Sequence, residues 1–234
     1  MCAQSSACTI VVLADEHGVI FANNEDSHMP DTRIWFVPAA DGRAGCAFVG
    51  YDDGWAQGGM NSRGLAFDWV VTGPVVWERD ATMKDVSGSP AAEMLSTCDS
   101  VEDAISFFRT YWEPGFAYAR IMVADKSGAS ALIGLVDGKL EAFQSKSCAA
   151  FGFGGEQASQ LISADSTATF ENAAKILKAA RQSGDYATRY SNVFDLKTGM
   201  IRIMVGDREL RFGLSEELAR GPHHIALSDQ DKTK

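Results

Sequence analysis

Cys8 and Thr9 open an apolar run, Cys8-Thr9-Ile10-Val11-Val12-Leu13-Ala14. The turn residues Asp15-Glu16-His17-Gly18 follow, then a second short run, Val19-Ile20-Phe21-Ala22, that leads into Asn24-Glu25-Asp26. A cysteine at the head of one strand and an Asn-x-Asp on its return strand bring thiol, amide and carboxylate together. A thiol is a useful nucleophile as thiolate, and a free cysteine ionises near pH ~8.5. An α-amine ionises at about 7.7–8.0, close enough to take that proton. Cutting the Ala7–Cys8 bond would therefore give one residue both nucleophile and base. Such a residue attacks an amide carbonyl, hands a proton to the departing amine and leaves an acyl thioester for water or a second amine.

Other candidates are weaker. Cys2 becomes N-terminal if Met1 is removed, but it precedes a polar stretch, Ala3-Gln4-Ser5-Ser6, and no strand. The five cysteines (2, 8, 46, 98, 148) contain no C-x-x-C pair, so a zinc site is not expected and no metal or other cofactor is implied. Cys46, Cys98 and Cys148 read as small buried hydrophobes. Histidines 17, 28, 223 and 224 read as surface or tail residues. Of these, His28 is the one candidate partner for a Cys–His pair. Trp35, Trp55, Trp69, Trp77 and Phe151 could line an acyl pocket, although core packing is the default for such side chains.

The elements that must position these groups start with β-structure. Strands are expected near 8–14, 18–23, 33–37, 45–49, 55–60 and 65–71, rich in aromatic and β-branched residues and punctuated by Gly and Asp. A mixed polar connection, residues 73–90, resembles a functional lid in length. Helices are expected at about 91–97 and 101–112, the second capped by Ser100 with acidic residues in its first turn. Strands resume near 118–124, 130–135, 139–143 and 148–153, a helix covers about 168–182, and strands near 189–195 and 200–205 close the series. Strands, helices, strands, helix, strands in that order suit antiparallel sheets with segregated helices, an α+β arrangement. Residues 8–221 read as one domain, 222–234 as a mobile polar tail, and 1–7 as a leader or propeptide remnant.

Composition narrows the partners. The chain has 234 residues with 21 basic and 31 acidic side chains, a net charge of −10 and no basic stripe, which argues against nucleic acid. No run approaches the roughly 20 apolar residues of a membrane helix. Ser5-Ser6-Ala7 looks like the small-residue end of an export cleavage site, which points to a periplasmic or secreted protein, with the cytoplasm as the alternative.

Together these residues resemble the N-terminal-nucleophile amide hydrolases of the linear C–N type: choloylglycine hydrolases, penicillin V acylases and isopenicillin N acyltransferases. The likeness rests on Cys8-Thr9, Gly18 and Asn24-x-Asp26. It extends to Gly59-Met60-Asn61-Ser62-Arg63-Gly64-Leu65-Ala66, which resembles the family's G-x-N-x-x-G-L-A segment, and to Thr188–Asp195, which looks like its closing hairpin. The resemblance implies a four-layer αββα sandwich of two antiparallel sheets with outer helices. It implies cleavage of a small linear N-acyl amide through a thioester on Cys8, with acyl transfer to an amine or a dipeptidase-like activity as alternatives. A catalytically silent amide-binding member is the non-enzyme alternative, and self-association is left open. Asp26 is then expected to orient the Cys8 ammonium, and Asn24 to donate to substrate or oxyanion. The backbone N–H of Val71 is expected in the oxyanion hole, with either a glycine N–H of the Ala149–Gly154 region as second donor or an oxyanion stabilised less well. Asn23, which stands where relatives often carry arginine, is expected at the substrate with Asn61, Trp69 and Phe151. Asn61 also suits a tight turn.

Overall fold

The computed structural model describes residues 8–227. The expected leader, 1–7, and the end of the expected tail, 228–234, lie outside the described residues. Six strands come first: β1 (Thr9–Ala14), β2 (Val19–Asp26), β3 (Thr32–Val37), β4 (Cys46–Tyr51), β5 (Ala56–Asn61) and β6 (Leu65–Val71). Two helices follow, α1 (Pro90–Thr97) and α2 (Val101–Thr110), then four strands, β7 (Ala119–Asp125), β8 (Ser130–Val136), β9 (Lys139–Ser145) and β10 (Ala149–Gly152). Helices α3 (Gly155–Ala164) and α4 (Phe170–Ala179) precede β11 (Thr188–Asp195), β12 (Met200–Val205) and β13 (Arg208–Gly213). The short helix α5 (Leu214–Ala219) and β14 (His223–Ala226) end the described chain.

The strands form two antiparallel sheets, β10-β1-β2-β11-β12-β13 and β14-β3-β4-β5-β6-β7-β8-β9. Their alternation makes the layers. On β1, Ile10 and Val12 join Phe21, Phe194, Ile34, Val49, Ala66 and Val70 in the core between the sheets, whereas Val11 and Leu13 turn outward onto Ile176 and Leu177 of α4. Likewise Phe67 and Trp69 of β6 face α1 and α2 through Leu95, Ile105 and Phe108. The result is the α+β, αββα sandwich that the sequence implied. Side chains such as Phe21, Phe36 and Phe194 are fully buried, each worth about 1.5–3 kcal/mol of transfer free energy.

Three stretches differ from expectation. Helix α3 was not foreseen, because its sequence, GEQASQLISA, starts on glycine and buries only Gly155, Ala158 and Ile162. The tail does not begin at 222. His223–Ala226 pairs with the edge of β3, Leu227 is fully buried, and its N–H donates to the Thr32 carbonyl (2.8 Å). Four residues are too few for alternation to show in sequence, and the unpaired edge of β3 is what recruits them. Helix α4 is shorter than expected, starting at the Thr169 cap, whose hydroxyl accepts from the Asn172 N–H.

Asn61 is not free to bind a substrate, which corrects that expectation. Its amide donates to the carbonyls of Leu95 (2.7 Å) and Cys98 (2.9 Å), and its carbonyl accepts from the N–H groups of Arg63 and Leu65 (both 3.0 Å). It ties the β5–β6 turn to the end of α1. Asn61→Ala should therefore lower unfolding stability by about 2–4 kcal/mol, since four buried backbone groups lose their partner. A urea titration checks this, and activity per folded molecule should be retained.

Candidate functional site

The β1–β2 ladder pairs Thr9 with Asn24 and Ile10 with Asn23, so Cys8 stands opposite Glu25. Its backbone N–H donates to Asp26 Oδ2 (3.1 Å) and its Sγ approaches Glu25 Oε2 at 3.6 Å. Successive residues of β2 point to opposite faces, so Asp26 meets the nitrogen from the helix side while Glu25 meets the sulfur from between the sheets. Cys8 has φ +73°, a left-handed value that is unusual for a residue with a side chain. Its carbonyl accepts from the Phe153 N–H (2.9 Å), and a Cβ on Gly152 would come within 2.3 Å of that oxygen, so only glycine fits there. Thr9 is pinned as well, its hydroxyl accepting from the Gly154 N–H (3.0 Å).

Asp26 is held by donors. Besides the Cys8 N–H, Gln182 Nε2 donates to Oδ2 (2.8 Å) and the Thr188 hydroxyl to Oδ1 (2.5 Å). Burial raises its pKa, and these donors together with Arg181 oppose the rise.

Glu25 was missed in the sequence, where it reads as the filler of an Asn-x-Asp motif. It is 2% exposed, and besides the sulfur it accepts a short hydrogen bond from the Tyr51 hydroxyl of the opposite sheet. Desolvation pushes its pKa from 4.5 up to about 7. Asp68 of β6 shares the inner face with Ala66 and Val70; its Oδ1 accepts from the Trp69 N–H (2.8 Å), and Oδ2 is buried without a partner. Burial, then Glu25, raises its pKa well above the carboxylate range. Asn23, Asn192 and the Tyr190 hydroxyl are buried on the same face; Asn192 and Tyr190 have no hydrogen-bond partner there, and Asn23 lies beside Glu25, whose pKa it lowers, without a bond of good geometry. Burial and the neighbouring Glu25 push the Cys8 thiol pKa up, against ionisation.

The other expected residues sort as follows. Asn24 points away from the site: its amide donates to the Leu177 carbonyl of α4 (2.8 Å) and its carbonyl accepts from the Ser191 hydroxyl (2.6 Å), so it ties sheet to helix. Trp69 faces the outer helices and packs on Phe116, so it lines no acyl pocket at Cys8. Phe151 remains at the site's edge, opposite Ile10 and beneath the Arg120 guanidinium (5.9 Å from ring centre). Val71 ends β6 opposite Ala119 with its side chain half exposed. The N–H groups of Phe153 and Gly154 are occupied by Cys8 O and Thr9 Oγ1. Cys8, Cys46, Cys98 and Cys148 are all free thiols, and among the described residues no cluster of side chains could hold a metal. No described helix is long and apolar enough to cross a membrane.

Penicillin V acylase from Agrobacterium tumefaciens superposes with a TM-score of 0.74 at 16% identity, covering 95% of this chain and 91% of that one. The chain shares the fold of that acylase. Two variants of conjugated bile acid hydrolase from Clostridium perfringens agree, with TM-scores of 0.73 and 0.72 at 14% and 13% identity, each over 94% of this chain and 96% of that one. No family model and no curated protein matches the sequence.

The raised Glu25 pKa has a signed consequence for stability. Between 4.5 and about 7 the unfolded chain has lost this proton while the folded chain keeps it, so stability falls as pH rises through that window. Asp26 and Asp68 are shifted in the same direction. Glu25→Gln should flatten the decline in the urea midpoint between about pH 5 and pH 8. It should gain most over the parent at the alkaline end.

Proposed function

We propose that the protein is an N-terminal cysteine amidohydrolase acting on a linear N-acyl amide. The observation that carries this is the double engagement of Cys8 within this fold: its nitrogen on Asp26 and its sulfur at the head of an edge-paired strand. The two solved proteins it resembles are by name an acylase and a conjugate hydrolase, which agrees with amide cleavage.

The chemistry runs through Cys8 once the bond before it is cut. The left-handed φ at Cys8 costs about 1–3 kcal/mol, and scission at Ala7–Cys8 removes the torsion that defines it. The freed amine stays on Asp26 and accepts the thiol proton. Sγ adds to the amide carbonyl, the oxyanion collapses, and the C–N bond breaks as the ammonium returns its proton to the leaving amine. Water then attacks the thioester carbonyl and releases the acid and the thiol. Liberation of the amine also answers the suppressed thiol, because a cation beside Sγ favours the thiolate. For the oxyanion, Asn23 offers a buried amide without a partner on the correct face, and the Val71 backbone N–H at the end of β6 is the second donor.

The intact mass of the active protein should correspond to a chain beginning at Cys8. Cys8→Ala should reduce amide turnover by about 10³-fold or more, and Asp26→Asn by about 10–100-fold, mainly in kcat. Full turnover by a chain that retains the Ala7–Cys8 bond would end this reading.

A further inference from the structure

The inner face around Cys8 holds more carboxyl groups than the amide chemistry uses. Asp26 serves the Cys8 nitrogen from the helix side, which leaves Glu25 and Asp68 between the sheets. Among the described residues neither carboxylate forms an ion pair. Arg120, whose strand positions share that face, lies over Phe151 and reaches the Leu135 carbonyl (3.5 Å). Isolated buried carboxylates are costly and are normally paired or neutralised. The face also carries four unpartnered amide atoms, on Asn23 and Asn192, and the unpartnered Tyr190 hydroxyl, all fully buried. Buried polar groups almost always have partners, so this many together on one face calls for a missing one.

We infer that Glu25 and Asp68 receive a cationic group of the substrate, and that the amide cleaved carries a free ammonium on its acyl portion, close to the scissile carbonyl, as in an α-aminoacyl amide. This rests on the amidohydrolase reading above. The placement follows from Glu25 Oε2 lying 3.6 Å from Sγ. The acyl carbon bonds to that sulfur, so an amino group one atom beyond it falls within reach of Glu25. Asp68 lies across the sandwich with a free oxygen, and Asn23 and Asn192 supply carbonyl acceptors for the remaining ammonium hydrogens. A neutral acyl group would leave these acceptors buried and unpaired, which is the situation in which polar sites discriminate strongly. The groups that face Glu25 are Cys8, Tyr51, Asn23, Asp68 and Tyr190, with Asp26 behind; the inner-face cation, Arg120, is turned onto Phe151 and the Leu135 carbonyl and pairs with neither acid.

The test labels Cys8 of the processed protein with chloromethyl ketones, in which Sγ displaces chloride. Matched pairs are used: alanyl and its desamino isostere, leucyl and its desamino isostere, phenylalanyl and its desamino isostere, with iodoacetamide as a charge-free reference. At least one aminoacyl reagent should label Cys8 about 30-fold or more faster than its desamino partner. Asp68→Asn should pull that ratio towards one. Unfolding would also bring the ratio towards one, so the variant is read only where its urea midpoint shows it folded, and the parent ratio decides alone if the variant does not fold. Equal labelling by both members of every pair, with Cys8 reactive to iodoacetamide, overturns the inference and leaves the amidohydrolase reading standing. A Cys8 inert to all reagents, iodoacetamide included, overturns both.

Discussion

The antiparallel pairing of β1 with β2 is the constraint on which the site depends. With Thr9 opposite Asn24, the next pair out is Cys8 with Glu25. The side-chain period of two then assigns the two acids of Glu25-Asp26 to opposite faces. Asp26 reaches the nitrogen of Cys8 and Glu25 its sulfur. A register slip of one residue would reverse that assignment, turning Glu25 towards the helix side and setting Asn24 or Asp26 against the thiol. The register is held from both flanks. β11 pairs the far side of β2, with Ser191 opposite Asn24, and β10 covers the near side of β1, with Gly152 opposite Thr9. Asn24 locks the depth of the strand by bonding the last turn of α4 and the Ser191 hydroxyl at once.

That constraint explains what was legible in the sequence. The strands of the first third follow from their own alternation and turn residues, as do the two helices, the second with Ser100 as cap, and each forms within a few residues of where it was expected. The Cys8–Asp26 contact was legible because both residues are chemically conspicuous and only a short hairpin apart. Glu25 was not, because a polar residue between Asn24 and Asp26 carries no sign of which face it will occupy until the strand's inner side is known. Asp68 sits in the apolar run Leu65–Val71, where a lone acid gives no hint that its neighbours across the sandwich are Glu25 and Cys8. Asn24 misled for a related reason, and Asn61 did so in its substrate reading while its turn reading held. An amide in a motif reads as a donor to substrate, yet both spend their hydrogen bonds on backbone carbonyls at element ends. Trp69 misled through alternation alone, since odd positions on β6 face the helices.

The inner polar layer is expensive for the fold. Cys8, Asn23, Glu25, Asp68, Tyr190 and Asn192 occupy positions that Phe21, Phe194, Ala66 and Val70 fill with apolar groups one step along the same strands. Replacing such groups with hydrophobic residues of similar volume commonly leaves a protein as stable or more so. Retaining them at one end of a core that is otherwise aliphatic and aromatic marks that end as the working one. The stability lost there is supplied by the three apolar layers on either side and between the sheets, and the expected pH dependence of the fold would be the trace of that loss.

The same carboxylates bear on the nucleophile. Desolvation and Glu25 both hold the Cys8 thiol protonated, so the thiolate is scarce while no cation pairs with Glu25 or Asp68. An ammonium placed between Glu25 and Asp68 reverses both influences: it lets the acids ionise, and it offsets their field at the sulfur. Substrate charge and nucleophile activation then become one event. On the inference that Glu25 and Asp68 take an ammonium, the chain would discriminate against neutral acyl donors on electrostatic grounds, through the strand that carries Asn23 two residues before Glu25.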